Sequence, residues 1–127
     1  DEDEYLVSTF EAAHAGEHLE SDISFFGHTH IQGGFLLVRQ NVLRIPRLPS
    51  HLSEQVLELE DSLRYLINPG SVGQPRDVDP RAAYILSDSG QRLATYRRVA
   101  YDVQSAQERI RKEGLPEVLA NRLATGT

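Results

Sequence analysis

Turn-forming residues interrupt this chain so often that its apolar runs stay short. Asp22-Ile23-Ser24-Phe25-Phe26 stops at Gly27, and Gly33-Gly34 opens onto Phe35-Leu36-Leu37-Val38. Apolar runs of this length, bounded by glycine and aspartate, read as strands. The second run is expected to continue as one strand toward Ile45, before Pro46 and Pro49 bound a loop carrying His51. Residues 55–60 and 63–67 flank Asp61-Ser62 and predict a hairpin, with Leu63, Tyr65 and Ile67 sharing one face by period two. Residues 82–87 and 91–99 predict another, turned by Asp88-Ser89-Gly90. Helices are confined to the two ends. Ser8-Thr9-Phe10-Glu11 is a capping box that starts a helix over 9–20, weakened by Gly16. Asp102 caps a helix to Lys112, with Val103, Ala106 and Ile110 on one face and Gly114 as its stop. Pro116 then suits the first turn of a short helix through Leu123. No repeat or linker divides residues 1–127, so the expectation is one mixed α/β (α+β) unit with mostly antiparallel strands.

Composition narrows the function classes. With 127 residues, 39% hydrophobic and 25% charged, the chain has ordinary globular proportions. No apolar run approaches a membrane span, and no basic start with an apolar stretch suggests a signal peptide. The net charge of −6 argues against a nucleic-acid partner, and residues 1–4, all acidic, supply most of it. That start reads as an arbitrary cut. Zero cysteines exclude a disulfide framework and fit a cytoplasmic protein.

The chemistry concentrates in Gly27-His28-Thr29-His30. Two imidazoles at i and i+2 project from the carboxyl end of a buried strand, the edge at which open α/β sheets carry ligands. Imidazole suits zinc, manganese or iron, and Gly27 permits a sharp backbone turn beside a metal. The remaining histidines read more plainly. His14 and His18 have the i,i+4 spacing that can bind metal, but with Glu17 between them they are taken as an exposed polar face. His51 is expected in solvent. Arg97-Arg98 is expected on a strand's solvated face, protecting an edge.

Phe26-Gly27-His28-Thr29-His30 resembles the last motif of the calcineurin-like metallophosphoesterases. Asn68-Pro69-Gly70-Ser71-Val72-Gly73-Gln74-Pro75-Arg76-Asp77, followed by Asp79-Pro80-Arg81-Ala82-Ala83-Tyr84, resembles the signature downstream of it in small bacterial and archaeal members. Arg98-Val99-Ala100-Tyr101-Asp102 and Gly114-Leu115-Pro116 extend the likeness through the last helices. The resemblance implies a four-layer β-sandwich flanked by helices and a phosphoester hydrolase with two divalent metals, whether manganese, iron, zinc or nickel. It implies that His28 binds one metal and His30 the other, while Thr29 orients the loop. Gly70 and Ser71 would lie near the substrate phosphate. Their loop either offers backbone N–H groups to an anion or braces the histidine loop. Arg76 either reaches a substrate phosphate or pairs with Asp77 or Asp79.

The family's earlier motifs, D-x-H, G-D-x-x-D and G-N-H-[DE], have no counterpart here, nor does its additional metal-binding histidine. Two imidazoles cannot hold a metal pair, and the histidine that protonates the leaving group belongs to an absent motif. The chain therefore reads as the C-terminal half of such an enzyme. No catalytic residue is expected in it, with metal bound weakly or not at all and no activity in isolation. Its expected partners are the missing N-terminal half, the phosphoester substrate of the whole protein, and further copies of itself through exposed strand edges. The alternative is a binding or scaffolding module with the same fold but no catalysis.

Overall fold

A computed structural model describes residues 7–39 and 41–127, so the acidic residues 1–4 lie outside it. Its order is α1 (Thr9–Gly16), β1 (Ile23–Phe25), β2 (Gly33–Val38), β3 (Asn41–Ile45), β4 (Glu54–Glu58), β5 (Arg64–Asn68), β6 (Ala82–Asp88), β7 (Leu93–Val99), α2 (Val103–Lys112) and α3 (Glu117–Thr125). The strands form a four-stranded sheet, β1-β5-β2-β3, and a three-stranded sheet, β4-β7-β6. All ladders are antiparallel except β1 with β5. The result is the mixed α+β architecture expected from the punctuated apolar runs.

The two sheets enclose one core and α1 closes a second. Tyr65 and Ile67 of β5 point between the sheets and meet Leu59, Ala94 and Tyr96. Leu66, the residue between them, points the other way and joins Phe35 and Ala12 under α1. Because side chains alternate along a strand, β5 is buried on both faces, from Tyr65 to Asn68. Burying side chains of this size contributes about 1.5–3 kcal/mol each, which makes β5 the axis of the fold. Close approach of β2 to β5 depends on Gly34, whose φ is +148°. A Cβ there would stand 2.1 Å from the Leu66 carbonyl oxygen.

Three expectations are corrected. The run from Phe35 toward Ile45 is not one strand but a hairpin, β2–β3, reversing between Val38 and Asn41. The pair expected around Asp61-Ser62 is not a hairpin. β4 pairs with β7 and β5 with β1 and β2, so that connection crosses from one sheet to the other. Both Leu59 and Tyr65 gain burial by this crossing, and the Glu60 amide donates to the Tyr65 hydroxyl at 2.9 Å. The first helix stops at Gly16 rather than residue 20, closed by hydrogen bonds from Glu17 and His18 amides to His14 and Ala15 carbonyls.

The caps behave as their residues dictate. Ser8 and Glu11 form the reciprocal capping box, and Asp102 accepts from the Ser105 amide at 2.9 Å. α2 and α3 pack against each other. α3 ends on Gly126 with φ +67°, and its carbonyl accepts from the Val78 amide at 2.8 Å. No helix is long and apolar enough among the described residues to cross a membrane.

Candidate metal centre

The histidine loop leaves β1 at the carboxyl end of the single parallel ladder. Phe26 extends that ladder by one bond, its amide donating to the Ile67 carbonyl at 3.0 Å. The chain then turns sharply. The Thr29 amide donates to the Gly27 carbonyl at 2.9 Å, and both His28 (φ 72°) and His30 (φ 60°) take the left-handed conformation. Such backbone costs on the order of 1–3 kcal/mol per non-glycine residue and persists only where neighbours hold it.

The neighbours that hold it come from the loop between β5 and β6. Asn68, buried at the end of β5, donates its side-chain amide to Thr29 Oγ1 at 2.9 Å. The Arg76 amide donates to the His30 carbonyl at 3.1 Å. His30 Nδ1 lies 2.8 Å from the Gln74 carbonyl oxygen, which can only accept, so Nδ1 carries the proton. In the neutral ring Nε2 is then the lone-pair nitrogen. A carbonyl bound to the far ring nitrogen in this way sets the tautomer of a ligating histidine.

Gly70 and Ser71 serve the loop itself. The Gly70 amide donates to Asn68 Oδ1 at 2.9 Å, and Ser71 Oγ accepts from the amides of Gly73 and Gln74 at 3.3 and 3.0 Å. These N–H groups are therefore spent on bracing. Gly70 (φ +83°) also seats the loop closely: a Cβ would meet the Ala83 Cβ at 2.8 Å and the Gln32 Cβ at 3.0 Å.

Behind the histidine loop sits a buried polar network that sequence reasoning missed. Asp77 and Arg98 form an ion pair with both side chains at 0% exposure. The Gln32 amide donates to the same Asp77 oxygen at 2.9 Å, and Arg98 Nε donates to Gln32 Oε1 at 3.0 Å. Gln32 Nε2 in turn reaches the carbonyls of Pro69, Tyr84 and Arg97. The expectation of a solvated, edge-protecting Arg97-Arg98 thus fails for Arg98, because β7 is the central strand of its sheet. Arg97 faces the other way and pairs with Glu54 at 2.5 Å. The signal was present in the alternation: Ala94, Tyr96 and Arg98 share a face, and the first two are core.

Arg76 finds no partner in Asp77 or Asp79, since Arg98 takes the former and Arg81 the latter. Its guanidinium donates to Gln74 Oε1 at 2.9 Å and stays exposed. Together with His28, His30 and Thr29 it lines an open cleft of about 320 Å³. Gly70 and Ser71 do not line that cleft. An apolar cavity of about 380 Å³, walled by Phe26, Phe35, Ile45 and Pro46, adjoins it across Thr29 and Ile31.

As a metal centre the donor set is partial. His28 and His30 offer borderline nitrogen ligands suited to a divalent transition ion. Among the described residues, however, the one group of three or more histidine and carboxylate donors lies elsewhere, at His14, Glu17 and His18. His51 is exposed.

The two-sheet α+β fold is that of half of a solved metallophosphoesterase. A crystal structure of a metallophosphoesterase from Sphaerobacter thermophilus is similar over 98% of this chain, with a TM-score of 0.84 and 34% identity. This chain covers 51% of that one. An uncharacterised protein of Methanocaldococcus jannaschii, MJ0912, is 40% identical over 105 residues, which are 83% of this chain and 40% of that protein. The chain thus spans about half of these relatives or less. No family model matches it.

Proposed function

We propose that this chain is the C-terminal part of a metal-dependent phosphoesterase of the calcineurin-like family, and that its cleft is one side of a two-metal site. His28 and His30 each contribute an imidazole, His30 through Nε2. The remaining ligands would come from protein outside these 127 residues. The chemistry such metals would supply is polarisation of the phosphoryl group and activation of a water.

This chain's own part is to position. Asn68, Gln74 and Arg76 hold the strained loop so that both imidazoles open on one cleft, and Arg76 offers its guanidinium to a phosphate oxygen there. The observation that carries the reading is the pinned His30 ring on the cleft it shares with His28, in a chain 34% identical in sequence to a solved metallophosphoesterase across 98% of these residues.

The test joins the chain to its N-terminal half and assays a generic phosphomonoester and phosphodiester with added manganese. Turnover by the joined protein, lost in His28→Ala and absent from the isolated chain, is expected. No turnover, together with unchanged metal uptake in His28→Ala, would favour a scaffolding module instead.

A further inference from the structure

The end of α1 carries a donor set that the phosphoesterase reading leaves unused. His14, Glu17 and His18 place one ligand atom each within 4.8 Å of one another. The two imidazole rings sit edge to face with centroids 5.5 Å apart, and His14 Nδ1 is 4.0 Å from Glu17 Oε2. The helix has already ended at Gly16, yet the turn closed by the Ala15 carbonyl keeps His18 stacked one turn below His14. The spacing allowed a metal, but Glu17 between the two histidines favoured an exposed polar face. The turn geometry adds convergence.

Two nitrogens and a carboxylate oxygen form a donor set that zinc, nickel or cobalt accepts. Bonds of about 2.0–2.2 Å require donors roughly 3.0–3.5 Å apart, so small rotations about exposed side-chain torsions complete the approach. All three residues are exposed. The site also lies at the carboxyl end of α1, where the helix dipole favours positive charge. Opposing it, Arg39 and Arg64 line a neighbouring cavity together with Glu17. Arg64, however, is committed to the Gly16 carbonyl at 3.1 Å.

We infer that His14, Glu17 and His18 form a surface site for a divalent transition-metal ion, separate from the His28/His30 cleft. Bound there, the ion clips the end of α1 to the turn that follows and steadies the helix over the Ala12–Phe35–Leu66 core.

Zinc alone, titrated calorimetrically into the His28→Gln/His30→Gln protein, tests this without any appeal to phosphoesterase activity. A zinc ion is expected to bind that background, and adding His18→Gln is expected to weaken it about tenfold or more. Zinc is also expected to raise the melting temperature of the background protein but not of the His18→Gln variant. Circular dichroism of the variants without zinc checks that α1 is intact. Equal zinc affinity with and without His18→Gln, or no zinc binding to the background protein, overturns the site.

Discussion

Arg98 and Asp77 meet in the interior with neither side chain exposed, and the Gln32 amide shares the Asp77 oxygen that Arg98 binds. The other oxygen, Oδ1, has no hydrogen-bond partner among the described residues. Removing one charge of such a pair is costlier than removing both. Arg98→Met is expected to cost about 3–5 kcal/mol by stranding the carboxylate, and Asp77→Asn/Arg98→Met less than that single change. Urea unfolding of both variants checks the order. A double variant weaker than Arg98→Met would refute it.

Gly70 is where the bracing loop touches Gln32. Gly70→Ala combines a left-handed φ with a Cβ lodged against Ala83 and Gln32. A loss of about 1–3 kcal/mol in denaturant stability is expected. Hydrogen exchange should quicken at the Arg76 amide, which holds the His30 carbonyl.

Val78 offers the opposite sign. This β-branched residue adopts φ 67° while its side chain is 70% exposed, so strain is held without compensating burial. Val78→Gly is expected to raise stability by about 1 kcal/mol. A thermal melt that drops would show that the valine packs better than its exposure implies.

Two groups contribute to the pH dependence. The Arg81 guanidinium holds the Asp79 carboxyl below its ordinary value of 3.8. Its contribution is complete above pH 3.8 and disappears as pH falls through the lowered value, so Asp79→Asn should flatten the acid limb. Burial raises the Tyr96 hydroxyl above its ordinary 10.0, where it donates to the Gly33 carbonyl. That stabilisation is complete below pH 10.0 and lost as pH rises, so Tyr96→Phe should flatten the alkaline limb. Unfolding measured across pH checks both slopes.

Among the described residues the outer edge of β1 has no partner strand in its sheet, and Phe25 on it is 53% exposed. We expect the isolated chain to associate through such edges at micromolar concentration. Sedimentation as a clean monomer would rule this out, and Phe25→Lys should weaken the association if β1 is the edge used.

Much of this was legible in the residues. Ser8/Glu11 and Asp102 announced their helices because capping is local chemistry. Asp88-Ser89-Gly90 likewise announced the β6–β7 hairpin. Which strand pairs with which was not local. Nothing around Asp61-Ser62 distinguishes a turn within a sheet from one between sheets, since either leaves Tyr65 and Ile67 inward. The same limit hid the network behind the candidate centre. Asp77 and Arg98 are 21 residues apart with β6 between them, and two charged residues in sequence read as surface until β7 is known to be central. His28 and His30 stood out because a strand, a glycine and paired imidazoles lie within a few residues.

The Val78 amide and the Gly126 carbonyl tie the end of α3 to the segment that carries Asp77 and Asp79. There a Cβ on Gly126 would press into the Asp79 backbone at 2.6 Å. The last turn is therefore a latch on the scaffold of the histidine loop.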